Sequence, residues 1–373
     1  MKRLSRYAVI LGLVSLLIFA CAAPSKPAPS PVPETPLAER PAARGPELSG
    51  QQQVIERAKQ EGKVVIWSNT FEGAEQFKRE FGARYPFLEF TKWDAPTGRD
   101  MVARLAEEAK IGKLSADVVA TSVTDFPELL RLGLIKEYAW PNTKGWPYQP
   151  NNGFYRVTTA GLRIPIYNTQ LVAAAEVPRS WDDLKNTRWR GKSQISRSGP
   201  DAPLIFAYMW REGDKLNWEK AEAFWREVVK NNRPSVGRGF QIPTELLAAG
   251  ESSILLLGST LTTLSLMSRG APLGIAPVER AMAPPFALAI VKDGPHPNAA
   301  TLLADYLTSS EGLLLYANAN LMNVIDPAVD KKSRAGGLLG SLGIQWEPPP
   351  TEIYTEENVK RSSDLWLAIV EGR

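Results

Sequence analysis

The chain contains very little cysteine and histidine for its length. Its 373 residues include one cysteine, Cys21, and one histidine, His296. A disulfide within the chain and a thiolate metal cluster each need more than one cysteine, so both are excluded. A single histidine also excludes metal sites built from several histidines, and it leaves His296 as the only residue for a Ser-His-Asp arrangement.

An excess of charge of one sign is also missing. Lysine and arginine number 44 against 40 aspartate and glutamate residues, a formal net charge of +4. Part of the excess lies at the N-terminus, in Lys2, Arg3 and Arg6. Nucleic-acid binding needs basic side chains gathered on one face, so we expect no nucleic-acid partner. The apolar content of 44% is normal for a globular protein, and the length is sufficient for two domains.

The N-terminal apolar run is too short for a typical membrane span. It covers residues 8–20, about a dozen residues, which is the length of a signal-peptide core. It ends in a small residue followed by Cys21, and this pattern resembles the bacterial lipobox. The resemblance implies that residues 1–21 are a lipoprotein signal peptide and that Cys21 is lipidated. The alternative is an ordinary signal peptide with an incidental cysteine.

Residues 22–50 are rich in proline, alanine and serine and show no aliphatic periodicity. Such a composition cannot bury enough apolar surface to order itself. Its prolines favour a semi-extended spacer. We therefore predict a disordered stalk between the anchor and the folded part.

From residue 52 onwards, short apolar strands alternate with amphipathic helices. Helices are predicted over 52–60, 74–85, 98–110, 125–132, 203–212, 218–231, 244–249, 261–268, 298–309 and 356–370. Strands are predicted over 63–68, 88–93, 116–121, 161–167, 192–196, 252–258 and 286–291. This alternation predicts an α/β fold with mainly parallel sheets covered by helices on both faces. Thr124 is expected to cap the helix that follows it.

Four strand-to-helix loops share small polar residues. They read Ser68-Asn69-Thr70, Ser122-Val123-Thr124, Ser196-Arg197-Ser198-Gly199 and Gly258-Ser259-Thr260. Ligands of doubly wound sheets sit beyond the carboxyl ends of the strands, where helix N-termini offer unpaired N–H groups. Each loop taken alone is explained equally well as a helix cap. Four loops in matched positions predict that they converge on one cleft.

Five segments between residues 64 and 322 follow one another in a recognisable order. They are ADVV (116–119) with LGLIKEY (132–138), IYNT (166–169), PRSWDDL (178–184) with WRGK (189–192), GE (250–251), and HPNAA (296–300) with YLTSSEG (306–312). Together they resemble the type 2 periplasmic solute-binding proteins of ABC importers, in the branch that includes ferric-iron, thiamine and phosphonate binders. The most specific of them is PRSWDDL with WRGK. His296 precedes Pro297 at a helix start, so we interpret it as a structural residue.

The resemblance implies two doubly wound α/β lobes joined by two crossover strands, with a ligand cleft between them. Lobe one is expected at 52–162 plus 284–325, and lobe two at 163–283 plus 326–373. The implied function is that of an exported, lipid-anchored and monomeric binding protein without cofactor. It would capture a small solute at the periplasmic face of the membrane or at the cell surface and deliver it to ABC permease subunits.

The ferric-iron members of this branch bind metal through paired tyrosines after the "GE" strand. The corresponding stretch here, LGSTLTT (257–263), contains no tyrosine. Serine and threonine hydroxyls are poor ligands for a hard Fe(III) ion, so this departure counts against iron. A ferric-iron-binding protein remains the alternative, with Glu72, Asp201 and Glu279 as conceivable carboxylate ligands.

Arginines near the predicted strand ends favour an anionic ligand. Arg163, Arg197, Arg238 and Arg280 hold such positions, and the guanidinium fork matches carboxylate and phosphonate groups. Arg197 is the leading candidate because it lies inside a strand-to-helix loop. Tyr167 is a candidate for an aromatic wall. We expect a small organic or phosphorus-containing anion, and a thiamine-like cation remains open.

Two other classes of protein fit the sequence less well. An exported enzyme on the same fold would need a nucleophile with its base, or paired carboxylates. Asp182 and Asp183 are adjacent, so on a helix their side chains diverge, and no catalytic constellation is found. A lipid-anchored structural or adhesion protein would not need four hydroxyl-rich loops at matched strand ends.

Overall fold

The computed structural model describes residues 49–69, 71, 74–150 and 152–372. The predicted signal peptide with Cys21, the predicted stalk up to residue 48, Thr70 and Glu72 lie outside these ranges. Within them, no helix combines the length and apolar character needed to cross a membrane.

The strands of the described residues are short and spread along the chain. They are β1 (Lys63–Ser68), β2 (Glu89–Asp94), β3 (Val118–Ser122), β4 (Arg156–Ala160), β5 (Arg163–Asn168), β6 (Ser193–Ser196), β7 (Ser235–Gly237), β8 (Ile254–Ser259), β9 (Leu273–Ile275), β10 (Arg280–Ala281), β11 (Pro285–Ile290), β12 (Asn323–Val324) and β13 (Gln345–Trp346).

Helices lie between most of these strands and after them. They are α1 (Gly50–Glu61), α2 (Ala74–Arg84), α3 (Gly98–Lys110), α4 (Phe126–Arg131), α5 (Ala202–Met209), α6 (Trp218–Asn232), α7 (Gln241–Ala248), α8 (Thr260–Met267), α9 (Pro297–Thr308), α10 (Ser310–Asn320), α11 (Pro327–Asp330), α12 (Arg334–Ser341) and α13 (Glu356–Val370).

The first sheet has six strands in the order β12-β4-β11-β3-β1-β2. Strands β1, β2 and β3 are parallel, and β11 joins β3 in the antiparallel sense. Both faces of this sheet are buried. On β1, Val64 and Ile66 pack with Phe77 of α2, whereas Trp67 packs with Met101 of α3 on the opposite face. An unbroken apolar strand such as β1 is typical of a parallel sheet covered on both sides.

The second sheet has five strands in the order β7-β6-β8-β5-β9. Strands β6, β7 and β8 are parallel, and β5 is antiparallel to its two neighbours. Its helices contribute an aromatic cluster in which Trp225 lies 5.0 Å from Phe206 and 5.2 Å from Trp366, measured between ring centroids. Edge-to-face packing of this kind holds α5, α6 and α13 together.

Two segments of chain pass between the sheets, and they pair with each other. The first links β4 to β5, and the second runs from β9 through β10, which pairs with β13 outside both sheets, to β11. The N–H of Gly161 donates to the carbonyl of Pro284 at 3.1 Å, and Arg163 and Met282 exchange both backbone hydrogen bonds at 2.8 and 3.0 Å. The predicted α/β architecture, two sheets joined by two crossover segments, is confirmed. The prediction of mainly parallel sheets is wrong, because β5 and β11 run antiparallel to both of their neighbours.

The single histidine holds the start of α9 against the first sheet. Its backbone N–H and its Nδ1 each lie 2.8 Å from the carboxylate of Asp117, which also accepts the N–H of Val65 at 2.7 Å. Asp117 is completely buried, so these contacts replace its lost hydration. Pro297 occupies the first turn of α9, as predicted.

Some local predictions were wrong or missing. Thr124 does not cap a helix: a 3-10 turn covers Val123–Asp125, and the hydroxyl of Ser122 accepts the N–H of Thr124. The segments of α10 and α12 were not predicted as helices, nor were β4 and β7 predicted as strands. Strand β4 reads RVTTA, and its hydroxyls and arginine interrupt the apolar run by which a buried strand is recognised.

Candidate functional site

The carboxyl ends of strands from both sheets lie beside the crossover. In the first sheet, Ser122 at the end of β3 pairs with Phe286, next to the crossover residue Pro285. In the second sheet, Ser259 at the end of β8 pairs with Arg163. The edges that bind ligands in doubly wound sheets therefore meet at the junction of the two lobes.

Apolar side chains from the two lobes also pack together near this junction. Leu204 of α5 belongs to the same buried cluster as Phe126 and Tyr155 of the first sheet's lobe. Leu261 of α8 packs against the other cluster of that lobe. The lobes are thus in apolar contact beside the crossover.

Arg163 is the central cation of the junction. Its Nη1 donates to the carbonyl of Gly161 at 2.8 Å and lies 3.3 Å from the hydroxyl of Ser259. Its Nε is buried and has no hydrogen-bond partner. None of the ion pairs formed by described residues includes Arg163. A guanidinium in this state keeps donors available for an anion, because its charge is not consumed by a carboxylate of the protein.

One aromatic ring lies against this guanidinium, and a second lies near the adjoining residue Gly161. Its central carbon lies 4.2 Å from the ring centroid of Phe240, which precedes α7. A Cβ added to Gly161 would lie 2.8 Å from the ring of Phe286 and 3.3 Å from Nη1 of Arg163. Gly161 is therefore required here by close approach of these two side chains. The ring of Phe240 limits the access of water to Arg163, which strengthens its interaction with an anion.

A carboxylate lies within electrostatic reach of Arg163. Burial lowers the pKa of Arg163 to about 10, and the charge of Asp201 opposes that shift. In turn, burial raises the pKa of Asp201, while Arg163 lowers it. Both residues keep part of their surface accessible. They are thus largely removed from water without being completely buried.

A buried tyrosine adjoins the same carboxylate. The hydroxyl of Tyr354 has no hydrogen-bond partner although the residue is only 3% exposed. Burial and the charge of Asp201 both raise the pKa of Tyr354. The neighbouring Tyr208 donates to Glu347 at 3.0 Å, so its hydroxyl is satisfied within the protein. Tyr354 therefore offers a donor and acceptor that no described group uses.

The hydroxyls of the β6–α5 loop tie two loops of lobe two together. Ser196 donates to the carbonyl of Gly239 at 2.6 Å, and Ser198 accepts the N–H of Gly239 at 3.1 Å. Gly199 lies against the ring of Trp366. Arg197 forms an ion pair with Glu371, near the end of the chain, at a partly exposed position. The guanidinium of Arg197 is thus engaged by a carboxylate, whereas that of Arg163 is not.

The start of α8 is bonded to the crossover. Both the N–H and the hydroxyl of Thr260 donate to the carbonyl of Leu162, at 3.0 and 3.3 Å. Ser259 is 4% exposed and faces Arg163. These residues position the crossover segment from which Arg163 extends.

The predicted residues of lobe one occupy the matching sheet edge. Ser68 ends β1 and is buried, and Asn69 follows at an exposed position. Ser122 and Thr124 bond to each other, with 2.9 Å between their hydroxyl oxygens. Thr70 lies outside the described residues. No hydrogen bond links the described members of this set to Arg163.

For three other predicted residues, no hydrogen bond or ion pair joins the side chain to Arg163 among the described residues. Tyr167 is four residues further along β5 than Arg163, and its ring lies on Gly274. Glu279 is exposed. Arg280 pairs with Glu347 at 3.4 Å. The structure does not bring these side chains to Arg163.

Sequence reasoning missed Phe240 and Tyr354. Phe240 follows the short strand β7, and the Gly237-Arg238-Gly239 sequence before it is a loop signal that identifies such a strand end. No comparable signal precedes Tyr354, which follows the run Pro348-Pro349-Pro350. Its place beside Asp201 arises from tertiary packing alone.

Comparison with known proteins gives a consistent set of relatives. A stretch of 85 residues is 29% identical to an Fe(3+)-binding periplasmic protein from Serratia marcescens and covers 23% of this chain. The match spans 24% of the length of that curated relative. Iron-bound HitA from Pseudomonas aeruginosa has a similar solved structure, with a TM-score of 0.63 at 16% identity over 82% of this chain and 99% of its own.

A second solved structure is that of AfuA from Actinobacillus pleuropneumoniae with exogenous fructose-6-phosphate bound. Its TM-score is 0.64 at 20% identity, over 83% of this chain and 99% of its own. At these identities the two structures show that the fold is that of periplasmic binding proteins. Residues 122–339, more than half of the chain, match the family model of the bacterial extracellular solute-binding proteins. The chain therefore belongs to this family, whose members are binding proteins and not enzymes.

Proposed function

We propose that this protein is the substrate-binding component of an ABC importer and that it captures a small anionic solute between its two lobes. The observation that carries the proposal is the state of Arg163. Its guanidinium lies at the junction of the lobes with Nε unpartnered and without an ion pair among described residues. A largely desolvated cation that makes no direct ion pair is costly unless a ligand supplies the missing partner.

The lobes are proposed at the boundaries inferred above, 52–162 plus 284–325 and 163–283 plus 326–373. This division is supported by the sheets, because β1 to β4, β11 and β12 form one sheet and β5 to β9 form the other. A ligand that enters between them contacts Arg163 from the crossover and Phe240 from lobe two. Closure of the lobes around it follows the usual behaviour of hinged binding proteins.

The site favours an anion with several oxygen atoms. Guanidinium groups bind carboxylate, phosphate and phosphonate with two parallel hydrogen bonds. The solved structure of AfuA has a sugar phosphate bound, so the fold accommodates a phosphorylated ligand. These observations support a phosphate, phosphonate or carboxylate as the part of the solute that Arg163 recognises.

The remaining features of the proposal concern location and partners. Cys21 is the proposed lipidation site, residues 22–50 are the proposed stalk, and the protein acts as a monomer at the outer face of a membrane. Delivery to ABC permease subunits follows from membership of the family. Neither catalysis nor nucleic-acid binding is part of the proposed function.

Ferric iron is the second candidate, because the curated relative and HitA are iron-binding proteins by their names. In this chain the end of β8 and the start of α8 carry Ser259 and Thr260, whereas the resemblance to ferric-iron binders implies paired tyrosines after this strand. Described residues also contain no group of three or more His, Cys, Asp or Glu side chains that could hold a metal. These observations favour an organic or phosphorus-containing anion over iron.

Calorimetric titration of the full-length chain tests the proposal. The protein is first unfolded and refolded to remove any ligand that co-purifies, and then titrated with inorganic phosphate, fructose-6-phosphate, ethylphosphonate, citrate, Fe(III)-citrate and thiamine. We expect binding of an anion, with affinity reduced by about a hundredfold in Arg163→Gln because two charge-assisted hydrogen bonds are lost.

Arg197→Gln is the matched control. It removes the same side chain from a position whose guanidinium is already paired with Glu371, so affinity should change little. Binding of Fe(III) alone, or a loss of affinity in Arg197→Gln that exceeds the loss in Arg163→Gln, would contradict the proposal.

A further inference from the structure

A cavity lies in lobe one, beside the start of β4. Its volume is about 440 Å³, within the range of small-molecule sites, and its lining includes Trp140, Thr143, Lys144, Trp146, Gln149 and Arg156. Arg156 begins β4 and Ala160 ends it next to the crossover, so roughly 13 Å of strand separates them at about 3.3 Å per residue. Since β4 runs in the same direction as β3, Arg156 lies at the sheet edge opposite to the carboxyl ends that meet at the junction.

The lining of this cavity carries positive charge only. Lys144 and Arg156 are its charged members, and no aspartate or glutamate is among the described residues that line it. Neither cation takes part in an ion pair within the described ranges. Lys144 is exposed, so its ammonium can turn toward a bound molecule. Concave surfaces lined by one sign of charge concentrate ligands of the other sign.

The guanidinium of Arg156 is fixed by neutral acceptors. Its Nε donates to the hydroxyl of Thr143 at 3.1 Å, and its Nη1 donates to the carbonyls of Asn152 at 2.6 Å and Tyr155 at 2.8 Å. Its Nη2 makes no hydrogen bond to any described residue. These contacts orient the side chain without neutralising its charge, so an anion that reaches Nη2 finds a donor already in position.

Two indole rings supply the apolar part of the wall. Trp140 is 2% exposed, its Nε1 donates to the carbonyl of Gly153 at 2.6 Å, and its ring centroid lies 5.6 Å from the guanidinium carbon of Arg156. Trp146 is half-buried and packs against the apolar cluster that contains Leu313. The rest of the Trp146 ring faces the cavity, where it offers a surface for a flat ring to stack on.

The segment that forms the wall is held in a fixed shape. Trp140 and Tyr148 have φ values of 51° and 59°, in the left-handed region that non-glycine residues seldom adopt. The side-chain amide of Gln149 accepts the N–H of Val157 at 3.1 Å and donates to its carbonyl at 2.9 Å. Strained backbone persists only where surrounding contacts hold it, and it concentrates at ligand sites. The cavity is therefore formed before any ligand arrives.

We propose that this cavity is a second binding site, for an organic anion that carries a flat ring and a phosphate or carboxylate group. The acidic group binds Lys144 and Nη2 of Arg156, and the ring stacks on Trp146. The site shares no residue with the junction around Arg163, so it goes beyond the proposed function and does not depend on it.

Calorimetric titration of the full-length chain with phenyl phosphate tests this site. The chain carries Arg163→Gln, so that the junction contributes little to the signal. Glycerol 1-phosphate provides a phosphate monoester without a ring, and benzyl alcohol provides a ring without a charge. We expect phenyl phosphate to bind at one site per chain and at least about tenfold more tightly than either of the others, because only it engages both the cations and the indole.

Lys144 is the residue to change, because it is exposed and makes no hydrogen bond or ion pair with described residues. Lys144→Gln should weaken the binding of phenyl phosphate about fivefold, and Lys144→Glu about thirtyfold or more, since it turns an attraction into a repulsion. Lys113→Gln and Lys113→Glu are the matched controls. Lys113 is another exposed lysine of lobe one without an ion pair in the described part of the chain, and it does not line the cavity. These controls should change the affinity less than about twofold, because an exposed charge outside the site is screened.

Each contrary result removes a distinct part of the inference. Equal losses in Lys144→Glu and Lys113→Glu would reveal a general effect of net charge and overturn the site. Binding of glycerol 1-phosphate as tight as that of phenyl phosphate would overturn the assignment of a ring. Absence of phenyl phosphate binding would overturn the site as a whole, whereas the proposed function is decided separately by the effect of Arg163→Gln on the anions named above. If the Arg163→Gln protein does not fold, the four lysine variants are compared in the natural protein with the same expectations.

Discussion

Arg163 and Phe240 stack on each other, with 4.2 Å between the guanidinium carbon and the ring centroid. The ring covers the face of the guanidinium, whereas the N–H groups of the guanidinium lie in its plane. Stacking therefore fixes the orientation of the cation without competing for its donors. A preorganised donor set of this kind lowers the entropic cost of binding a ligand.

Replacement of Phe240 should weaken ligand binding moderately. In Phe240→Leu the cation–π contact is lost while most of the apolar volume remains, so we expect affinity to fall about three- to thirtyfold. Phe240→Tyr keeps the aromatic face and should bind nearly as the natural protein does. Titration with the ligand found above measures both, and equal affinities in all three proteins would show that the stacking has no role in binding.

Removal of the Tyr354 hydroxyl should separate stability from binding. The hydroxyl is buried without a partner, so Tyr354→Phe should leave the free energy of unfolding unchanged or raise it by about 1 kcal/mol. Ligand affinity should fall because the acceptor beside Asp201 is lost. Denaturant unfolding and calorimetric titration provide the two measurements.

Tyr138→Phe is the comparison for that experiment. The hydroxyl of Tyr138 donates to Asp305 at 2.7 Å, so the same chemical change removes a made hydrogen bond. It should destabilise the fold by about 1 kcal/mol and leave binding unaffected. A Tyr354→Phe protein as destabilised as Tyr138→Phe would mean that the Tyr354 hydroxyl does have a partner.

Asp201 should make the stability of the ligand-free protein depend on pH. Burial raises its pKa above the ordinary 3.8, so the folded protein binds this proton more tightly than the unfolded chain does. The favourable contribution of the proton is present below the unfolded pKa and is lost as the pH rises through the folded pKa. Asp201→Asn removes the titration. Its melting temperature should exceed that of the natural protein at pH values above the folded pKa of Asp201, but not at pH values below the unfolded pKa.

Thermal unfolding between about pH 3 and about pH 8 checks this prediction. The difference in melting temperature between Asp201→Asn and the natural protein should grow as the pH rises. Asp364→Asn, at an exposed position on α13, should show no comparable growth. A destabilised Asp201→Asn protein at neutral pH would contradict the assignment of Asp201 as an unpaired buried carboxylate.

Asp117 should be important for folding but not directly for binding. In Asp117→Asn one acceptor becomes a donor that faces the backbone N–H groups of Val65 or His296. We expect the free energy of unfolding to fall by about 2–4 kcal/mol, as measured by urea denaturation. Asp182→Asn at an exposed position should cost less than about 0.5 kcal/mol. A cost for Asp117→Asn no larger than that would show that the contacts around His296 are dispensable.

The main strands of the two sheets could be predicted well from the sequence because most of them are continuous apolar runs. Strand β1 was predicted at the residues where it is found, and β8 was predicted at 252–258 and found at Ile254–Ser259. Continuous β-branched and aliphatic runs between glycine or polar loops have few other interpretations. Short strands with polar residues, such as β4 and β7, lack that signal and become strands only by pairing with their neighbours.

The binding residues could be predicted only in part. Arg163 and Arg197 both lie at strand ends, and nothing local distinguishes a free guanidinium from a paired one. The partner of Arg197 is Glu371, which is 174 residues away along the chain, so no sequence window contains both. In the same way, the hydroxyls of Ser196 and Ser198 match a ligand-binding loop in sequence, but they bond to Gly239 in the folded protein.

The pairing of the two crossover segments has a consequence for the order of events during capture. Arg163 exchanges backbone hydrogen bonds with Met282, so it belongs to the ribbon about which the lobes would rotate. Points on a rotation axis move least when the parts on either side swing. An arriving solute would therefore meet the same guanidinium in an open and in a closed protein, and groups farther from the axis would reach it only afterwards. The first contact with Arg163 would then determine the association rate. The rotation of the lobes would determine how long the solute stays bound.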